Sequence, residues 1–316
     1  MKNLQAETER NIYVILNPVA GSSDPDDLRQ AIEELSRKRG WIHDVYVTTG
    51  RENIAEVTRA ACKQGADLII AAGGDGTVAS VVNGVKDTGV PLGVIPVGTG
   101  NGLARAMRIP IEPQAAMDLL FGEHTIREID AMQVGDRYFI LNVSAGISSR
   151  AMNMTDSEEK QRFGILAYAG KIVQDVLESE PSLFRLVVDG FEVKVRASEV
   201  LVSNAELLKE PPYLFGTPEG FSDGQFDVNI LTAESPGDYI RLAWDLLSDS
   251  QESKNNLEDF TVRESISIDV LGEPHLVQAD GEEIGHTPVE VRMARNAIKI
   301  VVPKPGQESA STGFLI

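Results

Sequence analysis

Two glycine-rich turns carry the strongest chemical signal in this sequence. Gly73-Gly74-Asp75-Gly76-Thr77 ends an apolar run that starts after Asp67, and Gly98-Thr99-Gly100-Asn101, preceded by Pro96-Val97, ends a second apolar run. A helical pattern follows each. Glycines let the backbone approach an anion and adopt positive φ, and the first amides of a helix lack intrahelical partners. Such turns suit a polyphosphate, with Thr and Asn side chains to position it. Either turn alone could serve only to redirect the chain. Two turns at the carboxyl ends of successive strands form a ligand crevice of the kind open α/β sheets use. Neither is GxxxxGK[ST] and the first is not GxGxxG, which disfavours a P-loop or a dinucleotide fingerprint.

The elements that must hold these turns follow from the hydrophobic period. Residues 12–16 read as a buried strand that breaks at Asn17-Pro18, and 26–39 as a helix with Leu28, Ile32 and Leu35 inward, ended by Gly40. Strand 42–48, helix 53–64 and helix 112–121 continue the alternation, which predicts a doubly wound parallel sheet. Thr48 sits at a carboxyl strand end, where a ligand would bind; the other reading is a cap for the helix that starts near Asn53. From residue 125 the rhythm changes to short alternating runs at 126–134, 138–143, 184–189, 191–204, 226–232, 264–270, 275–279 and 289–302. Turn signals at Gly135-Asp136, Asp189-Gly190 and Asn296 separate several of them, as in an antiparallel β-sandwich interrupted by helices at 159–178 and 236–247. The expected division is an α/β domain, 1–130, a mainly antiparallel β-sandwich domain, 131–303, and a mobile tail, 304–316; the resemblance drawn below makes the first nucleotide-binding and the second the lipid-substrate domain. A ligand cleft is expected between the domains.

Composition narrows the chemistry. The formal charge of -19 excludes nucleic acid as a partner and strong electrostatic docking on anionic membranes. Phosphate must then be neutralised locally by backbone amides, a few cations and metal. A single cysteine, Cys62, excludes an internal disulfide framework, and the four histidines have no zinc-ligand spacing. With no secretory start and no apolar run of membrane-spanning length, the protein is expected to be cytoplasmic.

GGDGT at 73–77 followed by PVGTGN at 96–101 resembles the catalytic domain shared by diacylglycerol kinases, sphingosine kinases and the soluble bacterial lipid kinases. GGDGT alone also occurs in NAD kinases and, as a variant, in 6-phosphofructokinases, so the resemblance implies an N-terminal domain of that type. Asn17-Pro18-Val19-Ala20-Gly21 resembles the family's NPxxG opening, although Ser23, Asp24 and Asp26 stand where basic residues are expected. By this resemblance Asn17, Thr48, Gly73, Gly74, Asp75, Gly76, Thr77, Gly98, Thr99 and Asn101 hold ATP. A carboxylate beside polyphosphate is repelled, so Asp75 would act through Mg²⁺ or by fixing its turn. Gln278-Ala279-Asp280-Gly281-Glu282 reads from its residues as an Asp-Gly hairpin turn; by resemblance Asp280 is the general base and Glu282 a supporting acid. Phe221-Ser222-Asp223-Gly224-Gln225 is likewise an Asp-Gly turn, and the resemblance makes Asp223, with the carbonyls of Gly220 and Gln225, a magnesium site.

Three departures blur the acceptor. Ser148 stands where the family has Asp, Gly102 where many bacterial members have Asp, and Ala79-Ser80 where an Asn/Glu pair is usual. The resemblance implies an ATP- and Mg²⁺-dependent lipid kinase, diacylglycerol-like by default, that meets a hydroxyl-bearing lipid at the membrane surface during turnover. Residues 168–176 and 239–246 are candidate walls for the lipid groove. A sphingoid-base or other hydroxyl-lipid kinase, a more distant NAD kinase, and a noncatalytic lipid- or nucleotide-binding regulator are the alternatives. A homodimer is left open.

Overall fold

Alternation of apolar strands with capped amphipathic helices builds the first part of the chain, in a computed structural model that describes residues 10–21, 24–146, 181–205, 218–232 and 257–305. After β1 (Asn11–Leu16), α1 (Pro25–Arg39) starts at an Asp24 cap that accepts the Asp26 amide. Pro25 occupies its first position, acids lie early and bases late, and Gly40 stops it at φ 67°. There follow β2 (Ile42–Val47), α2 (Ile54–Lys63), β3 (Leu68–Gly73), α3 (Asp75–Val85), β4 (Leu92–Pro96), α4 (Gly102–Ala106) and α5 (Pro113–Phe121). The strands run parallel in the order β2-β1-β3-β4. The order reverses between β1 and β3, so the loops leaving these two strands flank the switch point at which open sheets bind ligands. Every residue of β3 and β4 is buried, as a parallel sheet covered on both faces requires.

A short loop fixes the approach to α2. Glu52 accepts hydrogen bonds from the Thr49 amide (2.6 Å) and hydroxyl (2.6 Å) and from the Arg51 amide (3.0 Å), while Asn53 caps α2 by accepting from the Glu56 amide. These donors favour the anion, the Thr49 hydroxyl most, and lower the Glu52 carboxyl to about 2.

The remaining described chain is β-rich: β5 (Thr125–Val134), β6 (Arg137–Phe139), β7 (Asn142–Gly146), β8 (Ser182–Val188), β9 (Phe191–Ala197), β10 (Glu199–Ser203), β11 (Phe226–Leu231), β12 (Leu257–Val262), β13 (Ser265–Val270), β14 (Leu276–Ala279), β15 (Glu282–His286) and β16 (Val289–Val302). The chain forms two compact units, Met1–Ala131 with Arg295–Ile316, and Met132–Ala294. In the second unit one sheet runs β12-β11-β10-β7-β14-β15, and the first half of β16 joins β13, β8 and β9 in another. Phe139, Phe184, Leu186, Val202, Phe226 and Ile268 fill one core between these sheets, which makes the unit a sandwich. In the first unit the end of β16 lies parallel to β4, with Ile300 opposite Leu92.

Several sequence expectations are corrected. Run 138–143 is two strands, because the chain turns at Ile140-Leu141 and the Asp280 carboxylate takes the amides there. Run 191–204 divides at Ser198, whose amide and hydroxyl both donate to Leu231, and its halves enter different sheets. Asn296 does not end a strand: with φ 49° it donates its amide to Asp130 within a continuous β16. The strands β12 and β15 had no sequence expectation. Helices 159–178 and 236–247, and the tail beyond residue 305, lie outside the described residues.

Two measurements check this fold. Phe184 is fully buried and meets the His275 ring edge-on at 5.5 Å, so Phe184→Ala is expected to lower the unfolding free energy by about 3–5 kcal/mol in urea denaturation; a loss below ~1 kcal/mol would contradict the core assignment. Because the Glu52 carboxyl is lowered on folding, its contribution is complete above the ordinary carboxyl range near pH 4.5 and is lost as pH falls toward 2. Carboxyl NMR should place its midpoint at about 2, and a midpoint in the ordinary glutamate range would reject the loop geometry.

Candidate active site

The two glycine turns start level, since β3 and β4 end with Gly73 opposite Pro96. Gly74 is the N-cap residue of α3 and supplies no side-chain acceptor. The amides of the first turn, Gly76 and Thr77 among them, therefore stand at the positive end of the helix dipole without a side-chain cap. At α4 the case differs. Asp75 reaches across so that Oδ2 accepts the Asn101 amide (2.9 Å) and Oδ1 the Gly102 amide (2.7 Å). Its carboxylate caps the second helix from the first turn, and the turn-fixing role is the one the geometry supports.

Asn101 closes its own loop. It adopts φ 53°, a conformation Asn tolerates better than most residues. Its Oδ1 accepts the Gly98 amide (3.0 Å) and its Nδ2 donates to the Gly98 carbonyl (2.7 Å), a pairing that needs both a donor and an acceptor on one side chain. Gly98 has no room for more: a Cβ there would lie 2.6 Å from the Gly74 Cα. Arg105 Nε donates to the Gly100 carbonyl (2.9 Å), a strut that the sequence reading missed.

The NPxxG loop joins the same assembly. Asn17 Nδ2 donates to Thr77 Oγ1 (3.0 Å), bridging the switch point, and Asn17 Oδ1 accepts the Val19 amide (3.2 Å). Gly21, at φ 68°, lies so close to the Val97 carbonyl oxygen that a Cβ would fall 1.7 Å from it. Thus Asn17, Gly73, Gly74, Asp75, Gly76, Thr77, Gly98 and Asn101 form one connected group, with Thr99 and Gly76 on its exposed side. Thr48 is buried at the end of β2, where its amide donates to the Leu16 carbonyl (2.8 Å); Asn53 caps the next helix, so the capping alternative for Thr48 is dropped. The Ser80 hydroxyl donates to the Gly76 carbonyl (2.9 Å), and Gly102 is buried. Ser148 and both proposed groove walls lie outside the described residues.

In the second unit Asp280 and Gly281 make the hairpin turn between β14 and β15, with φ 46° and 83°. The Asp280 carboxylate accepts three successive amides, from Ile140 (2.7 Å), Leu141 (2.8 Å) and Asn142 (3.0 Å). Asp189 repeats this arrangement in the β8–β9 turn, taking the amides of Arg263 (3.0 Å), Glu264 (2.9 Å) and Ser265 (3.0 Å). Burial opposes the Asp189 anion, but the three amides together outweigh it and hold its carboxyl below the usual range. Glu282 accepts from Arg137 (2.6 Å), whose guanidinium lies 4.8 Å above the Phe139 ring. Asp223 follows the short 3-10 turn Gly220–Ser222 and accepts from the Gln225 amide (3.0 Å) and Nε2 (3.3 Å). Oxygen donors of this kind suit Mg²⁺, which would have to displace the Gln225 side chain from the carboxylate. Among the described residues no three acidic, histidine or cysteine side chains gather into a metal site, and no helix is long and apolar enough to cross a membrane.

Comparison with known proteins fits this geometry. Residues 11–134 match the diacylglycerol kinase catalytic domain, and residues 141–302 match the YegS C-terminal NAD kinase beta sandwich-like domain. A diacylglycerol kinase of Bacillus subtilis is 30% identical over 93% of this chain and 97% of its own length. A diacylglycerol kinase of Staphylococcus haemolyticus is 27% identical over 92% of this chain and 88% of its own. A crystal structure of a diacylglycerol kinase from Bacillus anthracis shares the fold, with a TM-score of 0.74 at 23% identity, over 94% of this chain and 98% of that one. With both domain types matched in order along the chain, the protein belongs to the diacylglycerol kinase catalytic-domain family of lipid kinases.

Proposed function

We propose that this protein transfers the γ-phosphoryl group of ATP to the hydroxyl of a lipid, diacylglycerol first among the candidates. One observation carries the nucleotide side of this reading. Gly98 and Gly21 are demanded by close packing, whereas a Cβ on Gly76, at the start of α3, would meet nothing within 4 Å. Glycine at 76 therefore answers no need of the fold, and it leaves the α3 amides open to a phosphate. The amides of Gly74, Gly76 and Thr77 would hold the phosphates, with Thr99 and Thr48 as further contacts. Asn17, Asp75 and Asn101 would position the loops.

In the proposed reaction the lipid oxygen forms a bond to the γ-phosphorus, the bond to the ADP oxygen breaks, and the lipid hydroxyl proton passes to the Asp280 carboxylate. Three amides fix that carboxylate in place, which fits a reaction driven mainly by positioning and charge stabilisation. Glu282 would support it, itself held by Arg137. Magnesium would supply charge neutralisation on the phosphates when bound; Asp223 with the Gly220 and Gln225 carbonyls is the proposed structural site.

Two experiments test this reading. Gly76→Ala should leave the melting temperature unchanged while raising the KM for ATP about tenfold or more, a loss of ~1.4 kcal/mol or more, whereas Gly98→Ala should destabilise the protein by about 1–3 kcal/mol. Wild-type ATP affinity in Gly76→Ala would contradict the phosphate site. In the second, labelled ATP with Mg²⁺ is offered diacylglycerol, monoacylglycerol, ceramide, sphingosine and NAD. Lipid phosphorylation is expected, with kcat falling about 10²–10⁴-fold in Asp280→Asn and little in Asp189→Asn, which loosens the matching turn. Transfer to NAD alone overturns the lipid reading, ATP binding without transfer favours the regulator, and undiminished turnover in Asp280→Asn rejects the base.

A further inference from the structure

The four parallel strands of the first unit end level: Val47, Leu16, Ala72 and Ile95 stand in one row across β2, β1, β3 and β4. The loops that leave this edge are residues 17–24 after β1, 48–53 after β2, Gly74 after β3 and 97–101 after β4. They border the switch point, and together they contain one lysine or arginine, Arg51. Arg37, Lys38 and Arg39 in the last turn of α1, and Lys63 in the last turn of α2, lie at the opposite edge of the sheet, because each helix carries the chain back against the direction of the strands it joins. Arg29, Arg105 and Lys304, in the adjoining segments, are each engaged: Arg29 with Glu33 (2.8 Å), Arg105 Nε with the Gly100 carbonyl (2.9 Å), and Lys304 with Glu123 (3.0 Å).

The fold gives the Arg51 side chain no partner. The residue is exposed, and among the described residues its guanidinium enters no ion pair or hydrogen bond. The carboxylate beside it is turned away: Glu52 accepts the Thr49 amide and hydroxyl and the Arg51 amide, so its oxygens face the loop backbone. Arg51 also stands two residues before Asn53, the N-cap of α2, where the helix dipole disfavours a cation. The same bonds, with Gly50 at φ 79°, hold the loop in one shape, so the side chain leaves from a fixed backbone position at the sheet edge.

We infer that Arg51 binds the polyphosphate of the nucleotide, as the cation that the loops of this crevice supply. The inference rests on the nucleotide reading above and adds a residue to it. Neighbouring strands lie ~4.8 Å apart, which puts the end of β2 about 10 Å from the end of β3. A chain of phosphates that starts at the α3 amides and an extended arginine that starts at the β2 loop span that distance between them. The guanidinium fork matches phosphate oxygens, and it stays charged at any working pH. On a chain of formal charge -19, whose overall field repels anions, Arg51 gives the crevice one point of attraction.

Calorimetry of the full chain with ADP and with adenosine, beside steady-state kinetics, tests the inference. Arg51→Ala should weaken ADP binding and raise the KM for ATP by about tenfold or more, with kcat little changed. Adenosine, which has no phosphate, should bind the variant as it binds the wild type. Arg51→Lys should regain most of the lost affinity, and Lys63→Ala, at the far end of α2, should change nothing. Added salt should weaken ADP binding to the wild type more than to Arg51→Ala. The thermal melt of Arg51→Ala should match the wild type, since the fold gives this side chain no partner. ADP affinity in Arg51→Ala equal to wild type, or a loss that extends equally to adenosine, overturns the inference. A wild-type chain that binds no ADP overturns the nucleotide reading itself, and this inference with it.

Discussion

The carboxylate of Asp75 sets how the two glycine turns stand relative to each other, because both of its oxygens are committed to amides at the start of α4. Two helices begin side by side at the end of the parallel sheet, and each brings amides that want an acceptor. The first turn supplies one for the second helix and, with Gly74 as N-cap residue, none for its own. That asymmetry leaves a single set of amides at the positive end of α3 and keeps it from collapsing onto the neighbouring loop. Asn101, paired to both backbone groups of Gly98, and Asn17, bound to Thr77, hold the flanking walls. The same bonds that define the fold locally therefore define where an anion can sit.

The second unit uses one device twice. Asp189 and Asp280 each occupy the first central position of an Asp-Gly hairpin, and each takes three successive amides where the chain enters an adjacent strand. The positive φ turns the short side chain back over the sheet edge, and both oxygens become acceptors for backbone groups the turn would otherwise leave unpaired. Asp280 thus has a structural use whether or not it takes a proton. A residue that already pins its own position with three bonds is also well placed to do chemistry that depends on position more than on base strength.

The sequence makes the first unit readable almost element by element, since its strands are continuous apolar runs and its helices carry caps: Asp24 before α1, Asn53 before α2, Glu112 before α5. The second unit is less readable because its strands are short and its corners depend on distant partners. Nothing local in residues 191–204 marks Ser198 as the place where the chain changes sheet; the Leu231 carbonyl decides it. Likewise Ile140-Leu141 looks like strand until the Asp280 carboxylate is brought to it. At the site, the residue types were legible while their partners were not. Asp75 read as acting through Mg²⁺ or by fixing its turn, and only the fold shows the Asn101 and Gly102 amides as its partners. Arg105 could have been suspected from its place in the turn-helix segment after Asn101, but its bond to the Gly100 carbonyl required the fold.

If a chain of charge -19 is to hold a polyphosphate, as proposed, where its cations and acids are engaged decides how. Arg105, beside the second turn, gives its Nε proton to a loop carbonyl, and Asp24, standing where the family pattern has a base, caps α1 instead. Oriented amides then supply the contacts at the turns themselves; their partial charges act only within a few ångströms and carry no net charge. Such a site discriminates by fit. It would need a phosphate close enough to touch the backbone, which gives weight to Gly76, the glycine of the two turns at which a Cβ would meet nothing within 4 Å. The long-range field of the protein repels anions, so affinity gained at the turns must exceed that repulsion, and a nucleotide accompanied by magnesium, with part of its charge already neutralised, meets the smaller barrier.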